Sequence, residues 1–443
     1  MCRIACNITP VQSQPARKPA SKRVAVIGGG WAGLAAAIEA TRLGHRVTLF
    51  EMAPQLGGRS RGVASEGRNA GLDNGQHILI GAYTETLALM RLVGVDIEAA
   101  FARTPLRISY PEGAGLHLGA GAPALAFARA VLRQHAWPWR SRFGLLGAAA
   151  GWSLRGFRCD PALTVAALTA RLPAIARDEL IDPLCVAALN TPAVEASASV
   201  FLRVLKDALL TGPGSADLLL PRLSLSELLP DPAARWLAHA GATIHLGRRV
   251  ERLELHDGAW HVDGEVFDHV VLGASAVEAA RLTRAIAPAW SDAAASLRYE
   301  PIITVYLRAE GARLPEPMLA LRSNDNSPAQ FVFDRGQLGG PPGLLAFVIS
   351  GAAPWVAKGM ASTLEATRTQ ARTLLPGGPS SVLEDVQVLI EKRATFRCTP
   401  GLTRPSMHIA PGLTAAGDHV AGPYPATLEG AVRSGMQAAR HLG

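Results

Sequence analysis

Three glycines and one carboxylate are the first residues of this chain whose types and spacing could do chemistry. Gly28, Gly30 and Gly33 stand at GxGxxG spacing behind a β-branched run at residues 24–27, and a helix is expected over residues 35–43. The first glycine permits a tight turn, the second lets backbone approach a pyrophosphate, and the third lets helix pack on strand. Free N–H groups and the positive end of the helix dipole then face the anion. A second strand is expected at residues 46–50, and Glu51 closes it. A carboxylate about twenty residues past such glycines accepts hydrogen bonds from both ribose hydroxyls and repels a 2′-phosphate, which favours FAD or NAD over NADP. Glycine-rich turns are common, so the motif has meaning only with its strand, its helix and Glu51 together.

Gly57, Gly58 and Arg59 follow, a second glycine turn with a cation beside the first pyrophosphate site. This combination resembles the GG motif of the FAD-dependent amine oxidase and carotenoid desaturase superfamily, in which the arginine approaches the FAD pyrophosphate. The resemblance therefore implies FAD as cofactor. The segment DNGQHILIGAY at residues 73–83 is similar to the squalene-associated branch, the hydroxysqualene dehydroxylases of hopanoid biosynthesis. In that superfamily this passage runs beside the isoalloxazine ring, which makes Gly75 and Gln76 cofactor contacts and His77 a candidate acid near the flavin. A hydrogen-bonded structural histidine is the alternative.

Two further stretches carry the same resemblance. Val250, in the text RRVERLEL, matches a residue that contributes its backbone to the adenine ring. At the C-terminus, Gly417 and Asp418 end a strand, and a helix over residues 427–440 begins with Glu429, Gly430 and Ala431, followed by Ser434 and Gly435. Such a helix start places N–H groups against the flavin edge where negative charge builds on reduction, and Asp418 is expected at the ribityl or phosphate region. Many members carry Trp where this chain has His419. Asn190, in an LNTP break between two apolar helices, is either a contact for a substrate hydroxyl or a helix cap.

The elements that must position these residues give an α/β fold: a Rossmann-like FAD-binding domain interleaved with an α+β substrate domain, made of a mixed sheet and a helical insertion. The FAD-binding domain is expected over residues 23–105, 215–295 and 395–443, and the substrate domain over 106–214 and 296–394. Residues 123–210 form the helical insertion. In its stretch 135–157, Trp137, Trp139, Phe143, Leu145, Leu146, Trp152 and Phe157 stand among arginines, a composition suited to a lipid headgroup layer. The expectation is a membrane-facing patch at the mouth of a substrate tunnel, and the alternative is an internal helical hairpin with a basic face.

Length and composition set the outer limits. At 443 residues, 49% hydrophobic and 18% charged, the chain is long enough for two domains and unusually apolar. The longest largely apolar stretch, residues 143–154, falls short of the roughly 18 residues of a spanning helix. Residues 1–22 lack an apolar core and read as a disordered leader. The five cysteines are scattered without a CxxC or Cys/His cluster, which argues against a disulfide framework and a metal site and fits a reducing cytoplasm. The net charge of +8 suits an anionic partner such as a membrane surface, or equally a chain rich in Arg and Ala by genome composition, and no arginine-rich block interleaved with aromatics marks a nucleic-acid groove.

No second GxGxxG follows a strand, and no GxSxG elbow, HExxH helix or Walker A loop is present, so a flavin has to carry the chemistry. Reducing equivalents then come from an external donor, NAD(P)H or a redox partner. The resemblance implies a long apolar isoprenoid substrate: the hydroxyl of hydroxysqualene is removed reductively to give squalene, with hydride from reduced flavin passing to an allylic cation. A cytoplasmic protein peripherally associated with the inner membrane is expected. The same fold also serves polyene desaturases acting on squalene or phytoene, amine oxidases, for which Tyr424 is one half of an aromatic cage, and non-catalytic prenyl-lipid escorts.

Overall fold

The strand Arg23–Ile27 is buried from its second residue on, and a run apolar on both faces has to lie inside a sheet covered on both sides. A computed structural model, which describes residues 21–63, 71–113, 115–375 and 382–442, places it there. Arg23–Ile27 lies between Arg46–Phe50 and His269–Leu272 in a six-stranded sheet, with Thr243–His245 at one edge and Leu413–Ala415 followed by His408–Ala410 at the other. Every neighbouring pair is parallel except the last. The helix begins earlier than expected, at Trp31, because the turn ends on Gly30. It packs against the terminal helix Leu428–Arg440 so closely that a Cβ on Gly435 would fall 2.1 Å from the Ala32 carbonyl oxygen.

A second sheet has the strand order Met318–Ala320, Phe331–Asp334, Leu344–Ile349, Tyr299–Arg308, Glu384–Phe396, and its pairs are antiparallel. Alternation along Tyr299–Arg308 divides its work. Ile303 and Val305 pack beneath helix Met360–Arg372, whereas Ile302 and Thr304 face a large cavity. Helices Pro123–Arg133, Trp139–Leu154, Asp182–Leu189 and Ala198–Leu210 close that cavity from the other side.

Within the segments assigned to the FAD-binding domain, not every strand joins the six-stranded sheet. Leu218–Pro221 instead pairs with Leu79–Ile80 and Phe101–Thr104, and Leu253–His256, Ala259–Val262 and Glu265–Phe267 form a small antiparallel sheet of their own. Their apolar alternation is the same in either setting, so periodicity does not choose the partner strand. The expected leader lies, up to residue 20, outside the described residues, as do Cys2 and Cys6. Among the described residues no helix is long and apolar enough to cross a membrane.

Candidate active site

The nucleotide end is shaped by what side chains would obstruct. Gly28 has φ +107°, and a Cβ there would lie 2.6 Å from the Gly273 backbone; on Gly33 it would lie 1.8 Å from the Gly28 carbonyl oxygen. Both glycines are required by protein-to-protein contact. Gly30 differs, since the nearest atom to its Cβ position is Gly58 Cα at 3.9 Å, and both glycines face the cavity. Helix Trp31–Arg42 has no side-chain cap at Gly30, so its first N–H groups are available to an anion. Glu51 is buried at the end of the neighbouring strand, where Oε2 accepts from Gly29 N–H at 2.6 Å and Oε1 from Ala53 N–H at 2.8 Å. Val250, Arg248 and Arg249 line the cavity here too. An open glycine floor under an uncapped helix start, with a fixed carboxylate beside it, fits the pyrophosphate and ribose of a dinucleotide.

The two terminal motifs meet next to this floor. Arg59 Nη2 donates to Asp418 Oδ1 at 2.6 Å, and Nη1 donates to the Ala394 carbonyl at 2.7 Å. Burial alone would push the Asp418 carboxyl up, but the charge and hydrogen bond of Arg59, with His419 nearby at 3.8 Å, overcome it and hold the carboxyl well below the usual range. Arg59 keeps 37% of its side-chain surface accessible, and both residues line the cavity. His419 is buried there, and its Nε2 has no hydrogen-bond partner among the described residues. Gly417 is anchored through its N–H to Ser434 Oγ, and Thr427 Oγ1 caps the terminal helix by accepting from Gly430 N–H. Ala431 reaches the cavity, while Gly430 packs beneath Tyr424 and Pro425. Glu429 is structural: it accepts from Glu85 and Thr86 N–H and from Thr86 Oγ1, and it pairs with Arg433.

Residues 73–77 cross between the two ends of the cavity. Gly75 and Gln76 line it, but the Gln76 amide is committed to protein, donating to Tyr306 Oη at 2.8 Å and accepting from Arg335 at 3.1 Å. His77 Nε2 lies 3.0 Å from Ser60 Oγ, and its Nδ1 is buried without a partner of hydrogen-bonding geometry. Burial is the largest cause that lowers His77 to about 4; a backbone contact with Gly75 opposes it and the Arg59 charge adds to it. Burial therefore favours the uncharged ring, the form that offers a hydrogen bond to the cavity. Asp73 shifts the other way, pushed up to about 6 chiefly by burial. Ser60, Thr304 and Glu391 also line the cavity; Ser60, next to Arg59, was in reach of the sequence, whereas Thr304 and Glu391 belong to strands with no motif.

Beyond residue 77 the cavity, about 590 Å³ in all, becomes apolar, with Phe127, Leu145, Trp152, Leu180, Phe201 and Leu205 among its walls. Asn190 borders it, yet its side chain ties three segments together. Nδ2 donates to the Glu300 carbonyl and to Thr395 Oγ1, and Oδ1 accepts from Gly351 N–H. With φ +47°, Asn190 is the left-handed C-cap of Asp182–Leu189, so its cap role is the one with visible partners. Tyr424 reaches the cavity but has Arg203 and Arg433 over its ring at 4.8 and 5.4 Å. Both guanidinium groups are paired with carboxylates, Arg203 with Asp207 and Arg433 with Glu429, and together they cover the ring. Trp137 corrects the expectation of a lipid-facing side chain: it is 1% exposed because its indole N–H donates to the buried Glu179 carboxylate at 2.7 Å.

Comparison with known proteins agrees with this geometry. The chain is 28% identical over 446 residues to the hydroxysqualene dehydroxylase of Sinorhizobium fredii, covering 94% of this chain and 97% of that one. It is 29% identical over 444 residues to the hydroxysqualene dehydroxylase of Rhodopseudomonas palustris, with 95% and 98% covered. The fold matches that of an oxidoreductase from Methanosarcina mazei with a TM-score of 0.71 at 18% identity, over 94% of this chain and 100% of that one. Residues 31–443 match the model of the flavin containing amine oxidoreductases. FAD is thus the cofactor, one that the dinucleotide cradle suits, and the chain is an FAD-dependent oxidoreductase belonging to the flavin containing amine oxidoreductase family.

Proposed function

We propose that this enzyme reductively removes the hydroxyl of hydroxysqualene to give squalene. The observation that carries the reading is the cavity that runs from the FAD cradle and residues 74–77 to walls of apolar side chains, a lining suited to a long hydrocarbon. The near full-length similarity to two hydroxysqualene dehydroxylases supports the same substrate. Reduced FAD, bound in its cradle, supplies the hydride. The chain's own residues hold the cofactor through Arg59, Asp418 and Glu51, exclude water with Phe127, Trp152 and Phe201, and present the neutral His77 imidazole, tied to Ser60, to the reacting end. Because hydroxide is a poor leaving group, these residues must also let a proton reach the alcohol oxygen.

The substrate's apolarity makes a membrane the natural source, and the outer face of the insertion supports one. Trp139 and Phe143 are 62% and 59% exposed and Leu154 is 89% exposed, on a helix whose inner side chains Leu145 and Trp152 line the chamber. Residues 113–159 hold Arg129, Arg133, Arg140, Arg142, Arg155 and Arg158 and no acidic residue. This combination suits the anionic cytoplasmic leaflet of the inner membrane. The electron donor is external, either NAD(P)H or a redox protein. Purified protein with FAD and a chemical reductant is expected to convert hydroxysqualene to squalene; a demonstrably reducible flavin without that conversion overturns the reading. A polyene with added double bonds as the product of an oxidative assay with squalene would instead establish a desaturase.

A further inference from the structure

The sheet wall of the chamber is apolar at most of the positions that reach it, among them Ile302, Phe331, Val348 and Leu389. Thr304 interrupts this wall on the interior strand Tyr299–Arg308, paired with Val348 on one side and Leu389 on the other. It is 1% exposed, it lines the cavity, and its Oγ1 has no hydrogen-bond partner among the described residues. A buried hydroxyl without a partner destabilises the fold, and valine would fill the same space without that penalty. Its place is also informative. A Cβ on Gly75 would lie 3.8 Å from Thr304 Oγ1 and 3.8 Å from His77 Cε1, so the hydroxyl stands where the flavin-side segment meets the apolar chamber.

We propose that Thr304 Oγ1 anchors the alcohol oxygen of the substrate by a hydrogen bond and so determines which carbon of a long chain faces the cofactor. This deepens the hydroxysqualene reading and rests on it. A thirty-carbon polyene slides along an apolar tunnel with nothing to fix its register, because dispersion contacts are nearly equal at every position. Its single oxygen is the one group a polar site can recognise, and a site built to bond a hydroxyl discriminates against the analogue that lacks it. Thr304 makes and breaks no covalent bond in this role; it positions.

The test uses the full-length FAD-loaded protein and two ligands, hydroxysqualene and squalene, with binding followed through the flavin absorbance. Thr304→Val is expected to weaken hydroxysqualene binding roughly five- to tenfold, to leave squalene binding unchanged, and to raise KM more than it lowers kcat. Thr304→Ser is expected to restore wild-type discrimination. Should Thr304→Val not retain flavin, the hydroxysqualene-to-squalene selectivity ratio is read from Thr304→Ala. Unchanged selectivity in the variant, or equal loss of both ligands, overturns the anchor and leaves the functional reading in place. Wild-type protein that neither binds nor converts hydroxysqualene overturns the functional reading and the anchor with it.

Discussion

Arg59 and Asp418 are 359 positions apart in the chain, and their side chains meet at 2.6 Å. The contact joins the second glycine turn to the terminal motif, so both halves of the FAD site share one ion pair. Asp418 is buried, and removing Arg59 takes away the main charge that compensates its carboxylate. Arg59→Ala is expected to cost on the order of 2–3 kcal/mol of stability and to be purified with little flavin. Asp418→Asn, which keeps the shape, should retain more of both. The ratio of flavin to protein absorbance and the melting temperature check this; full flavin content in Arg59→Ala would show that the pair does not organise the site.

The glycines of the cradle separate into two kinds. A Cβ on Gly33 overlaps the Gly28 carbonyl, whereas a Cβ on Gly30 points into open space. Gly33→Ala is therefore expected to disturb folding and give poor soluble yield. Gly30→Ala should fold with a near-normal melting temperature as apoprotein and bind FAD at least about tenfold more weakly, since the methyl group takes the place of the approaching pyrophosphate. Titration of apoprotein with FAD, alongside circular dichroism, distinguishes the two; equal behaviour of both variants would contradict the assignment.

His77 has a folded-state value of about 4, below the ordinary 6.5. The unfolded chain therefore binds a proton at His77 between these values and the folded chain does not. The sign follows: this contribution is complete above about pH 6.5 and is lost as the pH falls towards 4, amounting to about 1–2 kcal/mol at pH 5. Asp73, raised to about 6, acts oppositely and favours the folded state as the pH falls below 6. His77→Gln is expected to lose less stability than wild type between pH 7 and pH 5, measured by chemical denaturation. A wild-type turnover profile with no histidine-like limb near pH 6.5 is expected from the same neutral ring.

Two tryptophans two residues apart should behave in opposite ways. Trp137 is buried and bonded to Glu179, so Trp137→Ala is expected to cost about 3–5 kcal/mol of stability. Trp139→Ser with Phe143→Ser alters exposed side chains and should leave the melting temperature within about a degree or two, as surface substitutions usually do. The double variant should lose most of its flotation with vesicles containing anionic lipid while keeping activity on detergent-solubilised substrate. Unchanged flotation would remove the membrane-facing role of this helix.

The sequence by itself determined the cofactor and the broad fold. Gly28, Gly30, Gly33 and Glu51 act through local geometry, a turn and a helix start followed by a strand end, and local geometry is written in spacing. The terminal Gly417 and Asp418 were legible for the same reason, and so was the helical character of residues 123–210. What the chain could not specify locally, tertiary structure decided. Leu218–Pro221 reads as a strand in any sheet, and only packing gave it Leu79–Ile80 and Phe101–Thr104 as partners. Trp137 and Trp139 share a composition and a neighbourhood, but one meets Glu179 and the other water. How far burial disfavours the charged His77 ring depends on how the chain packs around it, which spacing does not show. Thr304 stands in a strand without any motif; its role depends on a missing partner, and a missing partner exists only once every neighbour is in place.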